Sequence, residues 1–376
     1  MTPEQDAGFM RRCLRLAARG VGRVNPNPLV GAVLARDGVI IGEGFHTYAQ
    51  GTHAEVLAME MAGKQARGST LYINLEPCSH QGRTPPCALA VIGAGIRRVV
   101  AAMEDPNPLV SGRGFDLLRR AGIAVEVGPC REEALRLNEA FVKFITRQAP
   151  FVLLKVALSL DGKIATHRGD SQWITSAAAR HYNQRLRHSY DAILVGVGTI
   201  LADDPELTMR LKRPKRRPLV KVIVDTHLRT PIRARVLRPS DRGKVLIFTT
   251  RAASMAKRQA LQRAGATVLQ APTWKGRVDL RAVCGRLGAE GLSSLIIEGG
   301  AEVHGSALSL GIVDKALFIL APKIIGGRHA VTAIAGQGFA RLSDCPTLEP
   351  LRIFRIGSDL AVEGYLPSRR ETSDQP

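Results

Sequence analysis

The chain opens with a pattern that is typical of an amphipathic helix. Thr2-Pro3-Glu4-Gln5 has the form of a capping box with proline at the first helical position. The apolar residues that follow recur at helical spacing: Phe9, Met10, Cys13, Leu14 and Ala17. We therefore expect an opening helix with one apolar face that packs on the rest of its domain.

Short β-rich runs and helical stretches then alternate as far as about residue 146. The predicted strands are Leu29–Leu34, Val39–Phe45, Leu71–Leu75, Val99–Ala102 and Val125–Val127. The predicted helical stretches between the later strands are 54–66, 85–93 and 112–121. Gly93, Gly95 and Gly122 stand where helices should end. The alternation predicts a largely parallel sheet in a three-layer α/β/α domain over residues 1–146.

A second pattern begins after Arg147-Gln148-Ala149-Pro150. Its buried-strand candidates are Phe151–Leu160, Ala192–Val197, Leu219–Val224, Val245–Thr249, Ala266–Leu269, Leu295–Ile297 and Lys315–Leu320. Helical segments separate these runs, so we expect a second, larger α/β domain over residues 151–367. The polar residues 368–376 are expected to form a disordered tail.

Length and charge agree with two domains and narrow the choice of ligand. A chain of 376 residues is too long for one typical hydrophobic core, and an apolar content of 45% can fill two. The formal net charge of +20 favours either nucleic acid or small phosphorylated ligands. Only one compact basic run stands out, Lys212–Arg217, and aromatic residues make up just 5%. The basic stripe with stacking residues that a single-strand binder needs is missing. We expect a phosphorylated small molecule as partner and no nucleic acid.

The cysteines and the N-terminus bear on location. The cysteines are scattered, without the dense spacing of a small secreted domain, and stand at positions 13, 78, 87, 130, 284 and 345. Residues 1–6 carry acids where a signal peptide carries bases, and no apolar run approaches the roughly 18 residues that span a bilayer. We expect a cytoplasmic protein with no membrane partner, and a homo-oligomer as its assembly.

One imidazole and two thiols stand at spacings that suit a catalytic zinc site. His53-Ala54-Glu55 opens a predicted helix, and Cys78 and Cys87 follow a predicted strand. Three such ligands leave the fourth tetrahedral position for water, whose pKa falls from about 15.7 to about 7. Glu55 can reach that water without binding the metal. Zinc deaminases with the pattern H-x-E…P-C-x-x-C use the glutamate to carry a proton to the departing amine.

Other interpretations of these residues remain open. A histidine at a helix start is common, and a lone cysteine is more often a small buried hydrophobe. His80 is a competing ligand, although it would leave Cys87 without a role. The two cysteines are nine positions apart instead of three, so the segment 79–86 departs from the general deaminase signature.

Three segments of the first half together resemble one known family. They are Asn25–Gly31 (NPNPLVG), Gly51–Val56 (GTHAEV) and Glu76–Cys87 (EPCSHQGRTPPC). They are similar to the deaminase half of the bifunctional deaminase/reductase family of riboflavin biosynthesis, in which the long segment between the cysteines is itself a hallmark. The resemblance implies a cytidine-deaminase-like domain in which His53, Cys78 and Cys87 bind zinc. It also implies that Glu55 is the proton shuttle and that Asn25 contacts the substrate, although Asn-Pro pairs are ordinary turn formers.

The second half, taken alone, offers a weaker signal. Glu298-Gly299-Gly300-Ala301 follows a predicted strand and precedes a helical stretch, where backbone N–H groups can cradle phosphate. A tight strand-to-helix turn without a ligand explains the same residues. Gly196-Val197-Gly198 lacks the third glycine of the dinucleotide fingerprint.

Four segments of this half, in order, resemble the reductase domain of the same family. They are Ser159–Lys163, Ser171–Ser176, Leu201–Thr208 and Glu298–Gly300. The resemblance implies a dihydrofolate-reductase-like α/β domain with NADPH as hydride donor. The residues implied to face the cofactor are Ala157, Trp173, Thr199, Asp203, Thr226, Gly300, Ala301, Glu302, Val303, His304, Gly305 and Ser306. The residues implied to face the substrate are Ser171, Arg187, Leu207, Arg210 and Glu298.

These residues also have structural interpretations. Trp173 is readable as a core aromatic, Asp203 and Asp204 as caps, and Arg187 as a solvated charge on a helix face. The acidic pair argues against a bare anion pocket, whereas ribose hydroxyls suit a carboxylate acceptor.

The resemblance implies two consecutive reactions on one phosphorylated pyrimidine. The first is hydrolytic deamination of 2,5-diamino-6-(5-phosphoribosylamino)pyrimidin-4-one. The second is NADPH-dependent reduction of the ribosyl group to ribityl, which gives 5-amino-6-(5-phosphoribitylamino)uracil. The principal alternative is a tRNA or nucleic-acid base deaminase with an accessory domain, because the same metal chemistry acts on flipped bases. A third is a non-catalytic zinc scaffold, which would have no need of Glu55.

Overall fold

The protein folds into two compact units. A computed structural model describes residues 2–79, 86–108, 110–238, 241 and 243–367. The first unit is Met1–Gln148 with Pro214–Arg216, and the second is Ala149–Arg213 with Arg217–Pro376. The competing ligand His80 and the expected tail, 368–376, lie outside the described residues. A search of the described helices finds none long and apolar enough to cross a membrane.

The first unit is built on a five-stranded sheet of order β2-β1-β3-β4-β5. Its strands are β1 (Gly31–Arg36), β2 (Val39–Phe45), β3 (Thr70–Ile73), β4 (Arg98–Ala101) and β5 (Ala124–Val127). Its helices are α1 (Pro3–Ala17), α2 (Ala54–Ala62), α3 (Cys87–Gly93), α4 (Arg113–Arg120), α5 (Arg131–Leu137) and α6 (Glu139–Arg147). The expected capping box is present at the start of α1, where Thr2 and Gln5 each accept the other's backbone N–H.

The prediction of a largely parallel sheet is wrong for this unit. Strand β1 pairs antiparallel with both β2 and β3, whereas β3, β4 and β5 run parallel. The reason lies in Asp37-Gly38 between β1 and β2. Both residues have positive φ, 50° and 79°, which is the backbone of a two-residue hairpin turn. Parallel strands would need a long crossover connection instead.

The sheet is covered on both faces, which confirms the three-layer α/β/α prediction. Ala32 and Leu34 of β1 lie in a core cluster with residues of α2, α3 and α4. Val33 and Ala35 lie in a second cluster with residues of α1, α5 and α6. Successive side chains of a strand point to opposite faces, so each face contributes its own core.

The second unit contains a nine-stranded sheet of order β11-β10-β9-β8-β14-β6-β15-β18-β17. Its strands are β6 (Phe151–Ser159), β7 (Lys163–Ala165), β8 (Ala192–Gly196), β9 (Val220–Val224), β10 (Val245–Thr249), β11 (Thr267–Gln270), β12 (Thr273–Trp274), β13 (Arg277–Val278), β14 (Ser294–Gly299), β15 (Lys315–Ala321), β16 (Val331–Thr332), β17 (Arg352–Ile356) and β18 (Asp359–Tyr365). Its helices are α7 (Ala177–Ser189), α8 (Val197–Asp203), α9 (Met255–Arg263), α10 (Leu280–Ala289) and α11 (Ala301–Ser309).

Two features of this sheet matter for the site. The neighbouring strands β9, β8 and β14 are parallel, so their carboxyl ends meet at one edge, where α/β proteins bind ligands. The other end of the sheet is an antiparallel hairpin, β17 and β18, which the sequence analysis missed. Only Gly357-Ser358 separates the two strands, and the φ of Gly357 is 62°. This two-residue turn between β-rich runs is the signal that could have found the hairpin.

Candidate active sites

Helix α2 is held against strand β2 by two glycines. A Cβ atom on Gly42 would lie 2.1 Å from a backbone oxygen of α2, and one on Gly44 would lie 2.2 Å from another. Only glycine therefore allows the helix to pack this closely on the strand. The contact fixes the start of α2, where His53 is the residue before the first turn and Glu55 lies within it.

The structure brings the three predicted zinc ligands together. The Nδ1 atom of His53 lies 2.9 Å from the Sγ atom of Cys87 and 3.7 Å from that of Cys78. The ligand atoms of all three side chains lie within 4.8 Å of one another. The backbone N–H of Cys87, at the start of α3, donates to the Cys78 sulfur at 3.4 Å. Two helix starts and a loop after β3 thus converge on one point.

A buried carboxylate fixes the loop that carries Cys78. Glu76 is 3% exposed and its oxygens accept backbone N–H groups at 2.8 to 3.3 Å. The four donors are Asp105, Gly112, Gly114 and Phe115. Glu76 belongs to the recognised motif, but its role could not be inferred from the motif alone. Its role in the structure is to tie the segment before Cys78 to the start of α4.

The electrostatics of the cluster suit a divalent metal. Hydrogen bonding to Cys78 raises the pKa of His53, and hydrogen bonds from Cys87 and His53 lower the pKa of Cys78 to about 4. The same contact with Cys78, together with burial, raises the pKa of Cys87. An imidazole and two sulfurs are the donor set of catalytic zinc, so the residues fit this ion.

Glu55 is buried beside the cluster with unused bonding capacity. It is 3% exposed, and its Oε2 atom has no hydrogen-bond partner among the described residues. Burial raises the pKa of its carboxyl group. An unpaired carboxylate oxygen in such a place is unfavourable unless a ligand or water completes it. The arrangement therefore points to a water molecule held next to the metal ligands.

Two further residues of the first unit bear on the site. His46, which the sequence analysis missed, packs edge-on against the His53 ring with centroids 5.4 Å apart, and its Nδ1 lies 3.0 Å from the Thr52 carbonyl oxygen. Asn25 accepts a hydrogen bond through its backbone oxygen from Arg216, which belongs to the same unit. The basic run thus contributes a contact to the segment that was expected to bind substrate.

In the second unit, the implied substrate residues line one cavity of about 740 Å³. This substrate-side cavity is lined by all five of them: Ser171, Arg187, Leu207, Arg210 and Glu298. Six residues implied to face the cofactor line it as well: Ala157, Trp173, Thr199, Asp203, Gly300 and His304. Residues from distant parts of the sequence therefore meet around one space.

A second cavity, of about 710 Å³, lies at the carboxyl ends of β8, β9 and β14. The implied cofactor residues that line this cofactor-side cavity are Thr199, Asp203, Thr226, Gly300, Ala301, Glu302, Val303 and Ser306. Ser171, Thr199, Asp203 and Gly300 line both cavities. Gly305 lines neither cavity. It packs closely against the backbone at Ala335, because a Cβ atom there would lie 1.7 Å from the Ala335 carbonyl oxygen.

Glu298 is a buried anion with both oxygens engaged. Arg187 donates to Oε1 and Oε2 at 2.9 Å each, and Asn183 donates to Oε2 at 2.9 Å. Burial alone would raise the pKa of Glu298, but Arg187, Lys155 and Asn183 lower it to about 2. The interpretation of Arg187 as a solvated charge is therefore wrong, because its side chain is only 13% exposed.

Lys155 is a site residue that the sequence analysis missed. It lies on β6, is 8% exposed and lines the substrate-side cavity. Burial lowers the pKa of its ammonium group, and the nearby charge of Glu298 opposes that effect. A lysine inside the apolar run Phe151–Leu160 was the available signal, because an unpaired lysine is almost never buried.

The surroundings of Trp173 and Asp203 bear on their alternative structural roles. Trp173 is 60% exposed, with the Arg180 guanidinium 4.6 Å from its ring centroid, so the core interpretation is wrong. The Oδ1 atom of Asp203 accepts a hydrogen bond from the Ser171 hydroxyl at 3.1 Å. The pair links two of the implied segments at the boundary of the two cavities.

These sites define a zinc-dependent deaminase joined to a reductase, and comparisons with known proteins agree. Residues 3–103 match the cytidine and deoxycytidylate deaminase zinc-binding region, and residues 150–362 match the RibD C-terminal domain. The chain belongs to the RibD family, the bifunctional deaminase/reductase enzymes of riboflavin biosynthesis, with a zinc-binding deaminase domain and an NADPH-dependent reductase domain. The fold and family expected from the resemblance are confirmed.

Full-length relatives share the whole architecture. The riboflavin biosynthesis protein RibD of Bacillus amyloliquefaciens is 45% identical over 366 residues, covering 97% of this chain and 98% of the relative. The Escherichia coli RibD is 40% identical over 370 residues, covering 95% and 98%. Among solved structures, Acinetobacter baumannii RibD matches with a TM-score of 0.85 at 35% identity, covering 97% of this chain and 100% of that one. A Thermotoga maritima diaminohydroxyphosphoribosylaminopyrimidine deaminase/5-amino-6-(5-phosphoribosylamino)uracil reductase matches with a TM-score of 0.84 at 37% identity, covering 97% and 99%.

Proposed function

We propose that residues 1–146 deaminate 2,5-diamino-6-(5-phosphoribosylamino)pyrimidin-4-one and that residues 151–367 then reduce its ribosyl group to ribityl. The observation that carries the first step is the convergence of His53, Cys78 and Cys87 beside the buried Glu55, whose Oε2 atom has no partner among the described residues. The second step is supported by two adjoining cavities lined by the residues that the family resemblance implies.

In the deaminase, His53, Cys78 and Cys87 would hold the metal and Glu55 would carry the proton. Zinc held by these side chains supplies a Lewis acid that lets a water molecule ionise near neutral pH. Glu55 takes a proton from the water and delivers it to the leaving amine, so the C–N bond breaks and ammonia departs. The ring carbon keeps the water oxygen as a carbonyl, and the second proton of the water ends on the adjacent ring nitrogen. The burial that raises the pKa of Glu55 suits a group that must gain and lose a proton.

In the reductase, the protein positions the sugar and supplies a proton. When bound, NADPH would supply a hydride for the C1 imine form of the ribosyl group. Glu298 stays ionised, because its pKa of about 2 leaves it no proton to give at neutral pH. Lys155 is the buried group of this cavity that carries a transferable proton, and its lowered pKa favours release. We assign Lys155 the proton that accompanies the hydride.

We further propose a small-molecule enzyme of the cytoplasm that acts on no nucleic acid and assembles as a homo-oligomer. The cysteines at 13, 78, 87, 130 and 345 form no disulfide, which supports a reducing compartment. The surplus of basic residues suits a phosphorylated substrate and a phosphorylated nucleotide. Sedimentation of the purified protein tests the assembly, and a titration with tRNA at several salt concentrations tests the exclusion of nucleic acid.

The experiment that tests the two reactions uses the intact chain with zinc and the diaminopyrimidine. Ammonia release without NADPH and NADPH oxidation only after deamination are the expected results. NADPH oxidation that precedes ammonia release would contradict the order. Titration of the protein with NADPH should show saturable binding in preference to NADH, and no nucleotide binding would remove the reductase assignment.

A further inference from the structure

The amide of Asn183 has one bonded end and one unbonded end. It lies on α7 and lines the substrate-side cavity. Its Nδ2 atom donates to Oε2 of Glu298 at 2.9 Å, while its Oδ1 atom is buried without a hydrogen-bond partner among the described residues. The opposite amide orientation would direct Oδ1 at an ionised carboxylate, so the hydrogen-bond network itself assigns the two ends.

A buried acceptor without a partner calls for a donor from another source. Arg187 is already paired with Glu298, whose carboxylate offers no donor, and Lys155 lines the same cavity without a hydrogen bond to this atom. The cavity is large enough for water, which can serve the acceptor until a ligand arrives. A ligand that displaces this water must replace its hydrogen bond or bind more weakly. The ligand must therefore carry an N–H or O–H group at this point.

The position of Asn183 indicates which ligand this is. It lines the cavity that holds all five implied substrate residues, and its Nδ2 atom contacts Glu298, which is one of them. The pyrimidine and its sugar offer amine, ring N–H and hydroxyl donors. Substrate chemistry therefore matches the acceptor that the cavity leaves open.

We propose that Asn183 is a positioning and specificity residue of the reductase. Its Nδ2 atom holds the carboxylate of Glu298 in place, and its Oδ1 atom accepts a hydrogen bond from an N–H or O–H group of the pyrimidine substrate. The proposal rests on the reductase function proposed for the second unit. No motif marks this position in the sequence, because it stands between the recognised segment 171–176 and Arg187.

The test uses Asn183→Leu in the full-length enzyme, with Arg185→Ala as the matched control at an exposed position of the same helix. We expect the KM for the deaminated pyrimidine to rise about tenfold, because a buried hydrogen bond to substrate is lost. The kcat should also fall, because Glu298 loses the hydrogen bond that Asn183 donates to it. The KM for NADPH and the rate of ammonia release should stay within about twofold of wild type, as for the control.

Asn183→Asp separates ligand recognition from simple packing. A protonated aspartic acid keeps both a donor for Glu298 and an acceptor for the substrate, whereas the ionised form repels Glu298. We expect this variant to approach wild-type KM only toward low pH, with Lys155, Arg187 and Glu298 unchanged around it. Loss of activity at every pH, with a lowered Tm, would indicate a structural role and overturn the proposal.

Other outcomes also decide the matter. A wild-type KM and kcat for the pyrimidine in Asn183→Leu would overturn the proposal, and so would an increase confined to the KM for NADPH. Failure of the proposed function gives a different result: the wild-type enzyme would then oxidise no NADPH with the deaminated pyrimidine. That result would overturn both the reductase function and the role of Asn183.

Discussion

Two buried glutamates, one in each unit, have opposite surroundings. Glu55 has a carboxylate oxygen with no partner among the described residues, and burial raises its pKa. Glu298 is held by Arg187 and Asn183, and its pKa lies at about 2 in spite of burial. The same side chain is thus prepared to exchange a proton in one site and to remain an anion in the other.

The contrast follows from the number of partners and not from the degree of burial. Desolvation acts on both carboxyl groups, but only Glu298 has a guanidinium with two hydrogen bonds to offset it. A buried carboxylate with spare bonding capacity therefore marks a place for chemistry, and one with saturated bonding marks a fixed charge. Changing either glutamate should therefore affect one reaction and spare the other.

The largest effect is expected for Glu55→Gln. Ammonia release should fall by about 10³-fold, since a positioned general acid–base group contributes roughly 10² to 10⁴. Zinc content should not change, because Glu55 is not one of the ligands. Glu60→Gln, an exposed glutamate of the same helix, is the control. Metal analysis with an ammonia assay measures both quantities, and undiminished release would refute the assigned role.

A second large effect is expected for Glu298→Gln. The change leaves Arg187 buried without its counter-charge, which should lower the free energy of unfolding by about 3 kcal/mol. NADPH oxidation should fall at least about 10²-fold while ammonia release persists. Urea unfolding with Glu290→Gln, which removes an exposed ion pair with Arg286, provides the comparison, and that control should shift stability by less than about 1 kcal/mol. Equal effects of the two changes would contradict the fixed-anion role.

The pH dependence of the reduction rate should reflect the ionisation of Lys155. Its pKa is lowered by burial, so the ammonium form is complete at low pH and is lost as pH rises, before the usual lysine value of about 10.4 is reached. The wild-type reductase rate should therefore decline on the alkaline side. Lys155→Arg should lower the rate about tenfold and remove that decline, since arginine stays charged. A decline that persists in this variant would assign it to another group.

The smallest effect is expected for His304. Burial lowers its pKa, its Nδ1 atom lies 2.8 Å from the Ala333 carbonyl oxygen, and its Nε2 atom has no partner among the described residues. The ring is neutral, with Nδ1–H as donor and Nε2 as a free acceptor for a cofactor amide. His304→Leu should weaken NADPH binding about fivefold in fluorescence titration. Unchanged NADPH affinity would remove His304 from the cofactor contacts.

The metal cluster could be predicted from sequence because its ligands lie at helix starts and in one short loop. His53 directly precedes the first turn of α2, which contains Glu55, while Cys78 follows β3 and Cys87 begins α3. Local spacing therefore carries most of the geometry. Spacing could not show which groups hold the ligands in place, such as the carboxylate of Glu76, which fixes the segment before Cys78.

The reductase site was harder to predict because its residues come from many elements. Lys155 and Asn183 belong to no turn or glycine motif, and only pairing of β6 with β14 and packing of α7 bring them to Glu298. The β1–β2 hairpin was missed for a different reason. The Asp-Gly turn is present in the sequence, but the alternation of strands with helices in the rest of the unit favours parallel pairing.

The central claim is that one buried glutamate carries a proton and the other holds a fixed charge. Crossed assays on purified, zinc-loaded Glu55→Gln and Glu298→Gln test it most directly, with ammonia release measured on the diaminopyrimidine and NADPH oxidation on its deaminated product. We expect Glu55→Gln to lose only ammonia release and Glu298→Gln to lose only NADPH oxidation. Full ammonia release by zinc-loaded Glu55→Gln, or full NADPH oxidation by Glu298→Gln, would contradict the claim.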